Sequence, residues 1–440
     1  MSHRCYFCLE ITNFAARKKR LNVKIRLYIL FITVQLLCAN TLLAQRADSL
    51  AMQFIREMGV TATTDNGLKL FLSGEAKFID LFQAIRQAKH HIHLEYFNFR
   101  NDSIANTLFD LLAVKAAEGV EVRAMFDSFG NSSNNRPLKR EHIEAIRSKG
   151  IELVKFDPMR FPWVNHALHR DHRKIVVIVG QVGYTGGMNI ADYYIHGLPE
   201  IGDWRDIHLR IEGSAVHQLQ GIFLTMWNKE TGQHVGGPDY FPTLPAEADS
   251  TLRQLPHHDA EVMVVARTPG ETSNSIRRAY AACIASAQQH IQIVNPYFVP
   301  TRTVRKAIKK ALKQGKRVEI MIPLKSDIPF TPEASHYIAH KLMKRGAEVY
   351  LFEGGFHHSK IMMIDSTFCT VGTANLNSRS LCYDYETNAF IFDPRPTAEL
   401  SAMFERDKLT STPLTREYWK HHSRWKKFLG WLGNVLTPFL

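Results

Sequence analysis

The sequence predicts an α/β fold in which two copies of one α-β-α unit pack about a pseudo-twofold axis within a single chain. Three observations carry this. The 440 residues suffice for two core-bearing halves. Helical and strand periods alternate along the chain, and the same order of segments is spelled twice.

In the first copy "FQAIRQAKHHIHLEYFNF" (82–99) reads as a helix, then an apolar strand beginning at Ile92; "YAACIASAQQHIQIVNPYFV" (280–299) repeats it, with its strand beginning at Ile291. Next, "LLAVKAAEGVEVRAMF" is matched by "IKKALKQGKRVEIMIP", helix, glycine and strand in each. "AIRSKGIELVKF" is matched by "KLMKRGAEVYLF", and "YTGGMNIAD" by "TVGTANLNS". Such alternation implies a largely parallel or mixed sheet. The stretch 230–258, rich in Pro, Gly and polar residues, reads as a linker between a first domain (46–229) and a second (259–400).

The N-terminus stands apart. A basic run, "ARKKRLNVKIR" (16–26), precedes the uncharged "LYILFITVQLLCANTLLA" (27–44). Residues 1–45 therefore read as a signal peptide or membrane anchor, with the basic flank cytoplasmic and the body sent outward. Cys5 and Cys8 have no second cysteine pair in reach for zinc, and Cys283, Cys369 and Cys382 are an odd three in the body. No disulfide framework follows.

With 45 % hydrophobic and 22 % charged residues the chain is globular rather than disordered. A formal net charge of +13 favours a polyanionic partner: nucleic acid, an anionic lipid surface or a phosphate-bearing substrate. Charge alone does not choose among them.

The chemistry sits in "HRDHRKIVVIVG" (169–180) and "GFHHSKIMMIDS" (355–366). Each carries His, one spacer, Lys and four apolar residues. The second run ends in Asp365, the first in Val179. From His172 to Asn189 the copies keep a constant offset of 186, pairing His172 with His358, Lys174 with Lys360 and Asn189 with Asn375. Residues i and i+2 of a strand share a face, so each His projects beside its Lys. Two ammonium groups and two amides suit one phosphodiester. Two imidazoles suit a two-step displacement, one as nucleophile and one as general acid, then base. A lone histidine is usually a satisfied core residue, but ancestry alone does not explain why His, Lys and Asn all keep register. His166, His169 and His172 sit at spacing three, which raises a metal; the second copy lacks counterparts of the first two, and lysines repel a cation. No metal or cofactor is expected. The imidazoles need a carboxylate on the second nitrogen, and Glu386 and, in the matching strand, Asp206 are the candidates.

These motifs resemble the phospholipase D superfamily, with its His-x-Lys-x4-Asp signature, and within it bacterial cardiolipin synthases. The resemblance rests on "HRKIVVI", "YTGGMNIAD", "WRDIHLRIEG", "NPYFVP", "IPLKSD" and "GTANLNSRS" and covers roughly residues 75–395. It implies two phospholipase D-like repeats, a phosphohistidine intermediate on His172, acid/base action by His358, and phosphate held by Lys174, Lys360, Asn189 and Asn375. It implies the joining of two phosphatidylglycerols to cardiolipin plus glycerol at a bacterial cell membrane, with the catalytic body on the outer side. No nucleic-acid partner is expected and no oligomer is required. Three departures stand out: Val179 for the motif Asp, Asn377 where Asp is usual, and one N-terminal apolar stretch where two are common. A hydrolytic phospholipase D, a secreted nuclease of the same superfamily and a non-enzymatic lipid-binding protein are the rivals.

The C-terminus bears on the substrate. In residues 401–440, Trp425, Phe428, Leu429, Leu432, Val435 and Leu436 form a stripe at helical spacing, with Lys420, Arg424, Lys426 and Lys427 before or among them. A basic amphipathic helix of this kind suits an anionic membrane. Packing against the body is the other reading.

Overall fold

The computed structural model describes residues 48–158, 168–243, 255–329 and 331–437, all within the unit Ala47–Leu440. The expectations for residues 1–45, and for His166, fall outside these residues. Among the described residues no helix is long and apolar enough to cross a membrane.

The first half supplies strands β1 (Thr63–Phe71), β2 (His91–Tyr96), β3 (Glu121–Asp127), β4 (Glu152–Phe156), β5 (Lys174–Ile178), β6 (Val182–Gly186), β7 (Trp204–Arg205) and β8 (His208–Glu212). The second supplies β9 (His257–Arg267), β10 (His290–Val294), β11 (Arg317–Pro323), β12 (Glu348–Phe352), β13 (Phe356–His357), β14 (Ile361–Ile364), β15 (Phe368–Gly372), β16 (Glu386–Phe392) and β17 (Ser411–Pro413). Fifteen of them form one mixed sheet, β17-β12-β11-β10-β14-β15-β16-β9-β1-β8-β6-β5-β2-β3-β4. The repeat is legible in that order: β9-β16-β15-β14-β10-β11-β12 mirrors β1-β8-β6-β5-β2-β3-β4. The halves meet where β1 and β9 run antiparallel. Within this sheet parallel pairing is confined to β2·β3·β4 and β10·β11·β12, and outside it β7 pairs β13 in parallel.

Helices cover both faces, which explains the unbroken apolar runs of the central strands. Ile175 and Val177 of β5 pack against the helix Ala215–Thr231. Val176 and Ile178 point the other way, towards the helices Gly74–Gln87 and Ser103–Ala117. Ser73 and Asp102 cap those two helices, accepting from the backbone of Ala76 and Ala105. The spacing therefore gives a three-layer α-β-α body. Cys283, Cys369 and Cys382 are free thiols.

The C-terminal helix Arg424–Val435 lies on the helix Thr331–Met343, but not by its apolar side. Contact runs through Gly430, where a Cβ would stand 2.6 Å from the Glu333 carbonyl oxygen, so only glycine permits the approach. Trp425 (65 % exposed), Phe428, Trp431, Leu432, Val435 and Leu436 face outward. The three rings stack at 5.6 and 5.9 Å.

Candidate active site

β5 and β14 are short, and each begins at or just after its motif lysine: Lys174 opens β5 and Lys360 immediately precedes β14. The histidines therefore lie just ahead of the strands rather than within them. Each is held by backbone of the opposite half. His172 N donates to Tyr385 O at 3.0 Å and Tyr385 N to Arg170 O at 2.8 Å, while His358 N donates to Arg205 O at 2.7 Å, beside the β7·β13 pair. These two lacings are pseudosymmetric, and each leads straight into a carboxylate, Glu386 after Tyr385 and Asp206 after Arg205.

The carboxylates thus pair across the halves. His172 Nδ1 lies 3.0 Å from Glu386 Oε1, and His358 Nδ1 lies 2.6 Å from Asp206 Oδ2. With a carboxylate on Nδ1, the proton sits there and Nε2 carries the lone pair. Sequence spacing ordered these acids by copy; the crossed pairing is what joins two half-sites into one.

Burial holds His172 at a pKa of about 4, with Glu386 pulling upward and Lys174 and Lys360 downward. His358 is pushed well below its ordinary value by burial, then by Lys360, Lys174 and His172. Each histidine thus feels the other motif's lysine, as expected of one shared site. Burial also brings Lys174 down to about 7 and Lys360 to about 8. Asp206 is raised by burial to about 6, against the pull of Lys360. Burial raises Glu386 too, but His172, Lys174 and Ser380 outweigh it and leave its pKa lowered. A phosphodiester between the two lysines would favour the charged form of both.

The lysines point into this arrangement: Lys174 Nζ donates to His172 O at 2.7 Å, and Lys360 Nζ stands 2.9 Å from His358 Nε2. Among the described residues His172 Nε2 has no such neighbour within hydrogen-bond distance. Asn189 and Asn375 follow β6 and β15; each is 5 % exposed and its Oδ1 has no hydrogen-bond partner. Aromatic rings wall the site, Phe97 edge-on to His172 at 5.1 Å and Trp204 5.4 Å from His358.

Asp365 is the one candidate not brought to the cluster. It lies beyond the far end of β14 and accepts backbone N–H groups of Gln288, Gln289 and His290. Val179 occupies the same place in the first half, and both residues have left-handed backbone, φ 50° and 55°. His169 turns its Nδ1 to Tyr383 O at 2.9 Å.

Sequence reasoning passed over the residues that steady Glu386. Thr373 Oγ1 donates to its Oε2, and that hydroxyl in turn accepts Thr387 N. The position matching Thr373 is Gly187, where a Cβ would meet Asp206 Oδ1 at 2.1 Å. One half spends the position on a hydroxyl, the other on room for the acid; the Gly/Thr mismatch at an otherwise constant offset was the available signal. Asn377 caps the turn that follows, accepting Ser380 N at 2.9 Å.

Comparison with known proteins identifies the family. The family described as cardiolipin synthase, PLD-like domain matches residues 81–227 and 280–408. A cardiolipin synthase of Staphylococcus aureus (strain Mu50 / ATCC 700699) is 38 % identical over 381 residues, covering 86 % of this chain and 74 % of that protein. One of Listeria monocytogenes serotype 4b (strain CLIP80459) is 35 % identical over 385 residues, covering 87 % and 77 %. The solved phosphatidylserine synthase of Haemophilus influenzae Rd KW20 superposes with a TM-score of 0.63 at 16 % identity, covering 85 % of this chain and 95 % of its own, a likeness of fold. With both halves matched and most of each relative spanned, the chain belongs to the cardiolipin synthase family of phospholipase D-like proteins.

Proposed function

We infer that the protein is a phosphatidyltransferase that joins two phosphatidylglycerols into cardiolipin and releases glycerol. The crossed pairs His172–Glu386 and His358–Asp206 carry this reading, because they supply two oriented imidazoles to one phosphorus. His172 Nε2 attacks the donor phosphorus, and the bond to the glycerol oxygen breaks. The charge of the bound phosphate favours the imidazolium form of His358, protonated on both nitrogens, and its Nε2 gives that oxygen its proton, leaving His358 neutral. A hydroxyl of the second phosphatidylglycerol then loses its proton to His358 and attacks the phosphohistidine, which breaks the P–N bond and frees His172. The free Nε2 of His172 suits the nucleophile, and Lys360 beside His358 Nε2 suits a nitrogen that gives and takes protons. Lys174, Lys360, Asn189 and Asn375 hold the non-bridging oxygens. Asp365 supports its half from the end of β14.

The burial of His358 and the small exposure of His172, 13 % at the side chain, favour a lipid alcohol over water as acceptor. The outward stripe of the C-terminal helix favours action at a phospholipid membrane, since three exposed aromatic rings in a row are costly in water. The run 16–44 favours a body on the outer face. The deciding experiment is mass spectrometry of lipids formed from purified phosphatidylglycerol vesicles, beside a plasmid-nicking assay. Cardiolipin with glycerol supports the reading; phosphatidic acid alone points to hydrolysis, and nicked plasmid to a nuclease.

A further inference from the structure

Away from the histidine pair, the helix Arg302–Lys313 and the end of the C-terminal helix border an open pocket of about 680 Å³. Five cationic side chains line it, Arg277, Arg302, Arg305, Lys306 and Lys309, and among the described residues no carboxylate does. Elsewhere some buried cations carry acids, as Arg170 with Asp127 and Lys408 with Glu319, whereas Arg302 and Lys306 are exposed at the mouth of this pocket and Lys309 is half-buried. Arg302, Lys306 and Lys309 make no hydrogen bond or ion pair among the described residues. Burial lowers the pKa of Lys309, and Arg345, Arg305 and Lys341 add to it. An anion beside Lys309 would offset that.

The cavity is built rather than left over. Arg305 fastens two of its walls, donating to Pro300 O at 3.0 Å and to Asn434 Oδ1 of the C-terminal helix at 2.8 Å. Thr301, on the lining, is 5 % exposed, and its Oγ1 is buried without a hydrogen-bond partner. A buried hydroxyl left so is unfavourable unless something accepts from it. Val435 belongs both to the lining and to the outward apolar stripe, so the cationic floor opens beside the surface assigned to the membrane. A molecule with a phosphate at one end and hydrocarbon at the other fits that sequence of surfaces.

We propose that this cavity binds the headgroup phosphate of an anionic phospholipid that does not react, and so fixes the enzyme's pose on the bilayer. The proposal rests on the reading of the C-terminal helix as membrane-facing. Arg302, Lys306 and Lys309 neutralise the phosphate, Thr301 donates to one of its oxygens, and the acyl chains leave along Val435. One lining wall, Ser378 and Cys382, belongs to the segment between Asn375 and Glu386, so an occupied cavity also braces the loop that carries the nucleophile's carboxylate.

The test is equilibrium binding of monomeric dihexanoyl phosphatidylglycerol to the full chain, every binding sample carrying His172→Ala so that the lipid is not turned over, with glycerophosphoglycerol and inorganic phosphate as separate arms. On that background the chain should take up one equivalent more than the variant Arg302→Ala/Lys306→Ala/Lys309→Ala. With His172 in place, that variant's turnover of detergent-dispersed phosphatidylglycerol should stay within about threefold, while its binding to phosphatidylglycerol vesicles weakens at least tenfold. Thr301→Val, nearly isosteric, should weaken the extra equivalent about threefold to tenfold with an unchanged melting temperature. Equal stoichiometry and affinity with and without the triple substitution would overturn the proposal. So would inorganic phosphate binding as tightly as the lipid, which makes this a free-anion site, or a hundredfold loss of turnover on dispersed lipid, which makes it part of the reacting site. Lipid products of the wild type are read separately, so failure of the transferase reading shows there and leaves the binding count intact.

Discussion

His172 Nδ1 and Glu386 Oε1 lie 3.0 Å apart although 214 residues separate them in the chain. One half's histidine is oriented by the other half's acid, and Asp206 returns the arrangement to His358. Neither half is then a working unit. His172→Ala and His358→Ala should each remove essentially all turnover of phosphatidylglycerol. Glu386→Gln should keep the fold but present the wrong tautomer, and lower kcat by about 10³–10⁴-fold. Substantial turnover in either alanine variant would mean the halves act independently.

The roles of the two histidines separate in a donor with an activated leaving group. A short-chain phosphatidyl nitrophenol needs no proton on departure, so His358→Ala should release one equivalent of nitrophenolate and then stall. Peptide mass spectrometry should find the phosphatidyl group on His172. A burst from His172→Ala, with the label on His358, would reverse the assignment.

Lys174 is buried, and its pKa falls from 10.5 to about 7. The unfolded chain binds that proton more tightly between pH 7 and 10.5, so the fold's stability is greatest above this window and is lost as pH falls through it. Lys174→Met should therefore be inactive yet more stable by about 1–3 kcal/mol at pH 7. Its advantage should shrink as the pH approaches 10. Denaturant melts across that range measure both. A variant less stable than wild type at pH 7 would show that the lysine is needed by the fold as well as by the phosphate.

Trp425, Phe428 and Trp431 project from a helix that docks by its glycine side. Replacing all three by Ser should leave the melting temperature within about 2 °C, because little protein contact is lost. Binding to phosphatidylglycerol vesicles should fall about 10²–10³-fold, as expected for about 1–1.5 kcal/mol per ring inserted. Sedimentation with vesicles reads the difference. Unchanged sedimentation would place the stripe against something other than lipid.

Local signals carried the three-layer fold and the motif residues, since period, glycine turns and the offset of 186 are properties of the chain itself. The crossing of Glu386 and Asp206 was not legible: each acid sits in register with its own copy, and only the lacing of Tyr385 to Arg170 and of His358 to Arg205 brings it to the other. The side chosen by the C-terminal helix was equally hidden. Its apolar periodicity suits a core or a membrane, and the decision falls to Gly430, which lets the helix approach the body by the opposite side.

Val179 poses the remaining question of the first half. Its φ of 55° is a left-handed conformation that a β-branched residue adopts at a cost of about 1–2 kcal/mol. Asp365, at φ 50°, bears the same conformation with three backbone N–H groups on its carboxylate. By the offset of 199 between Ile92 and Ile291, the matching donors in the first half are Lys89, His90 and His91. Val179 recovers part of the loss by packing against its half's core. An Asp there tolerates the backbone better and restores the turn contact, so Val179→Asp should raise stability by about 1–2 kcal/mol. The change lies beyond the end of β5 opposite to His172, so turnover should move less than about tenfold, or roughly 1.4 kcal/mol. The mirror change, Asp365→Val, should cost about 2–4 kcal/mol, because it strands three donors and adds the strain. Melting curves and lipid turnover of the two variants check these signs together. A wild type inert on every phosphatidyl donor, yet switched on by Val179→Asp, would show instead that the carboxylate governs the reacting face and that the first site, as it stands, is dead.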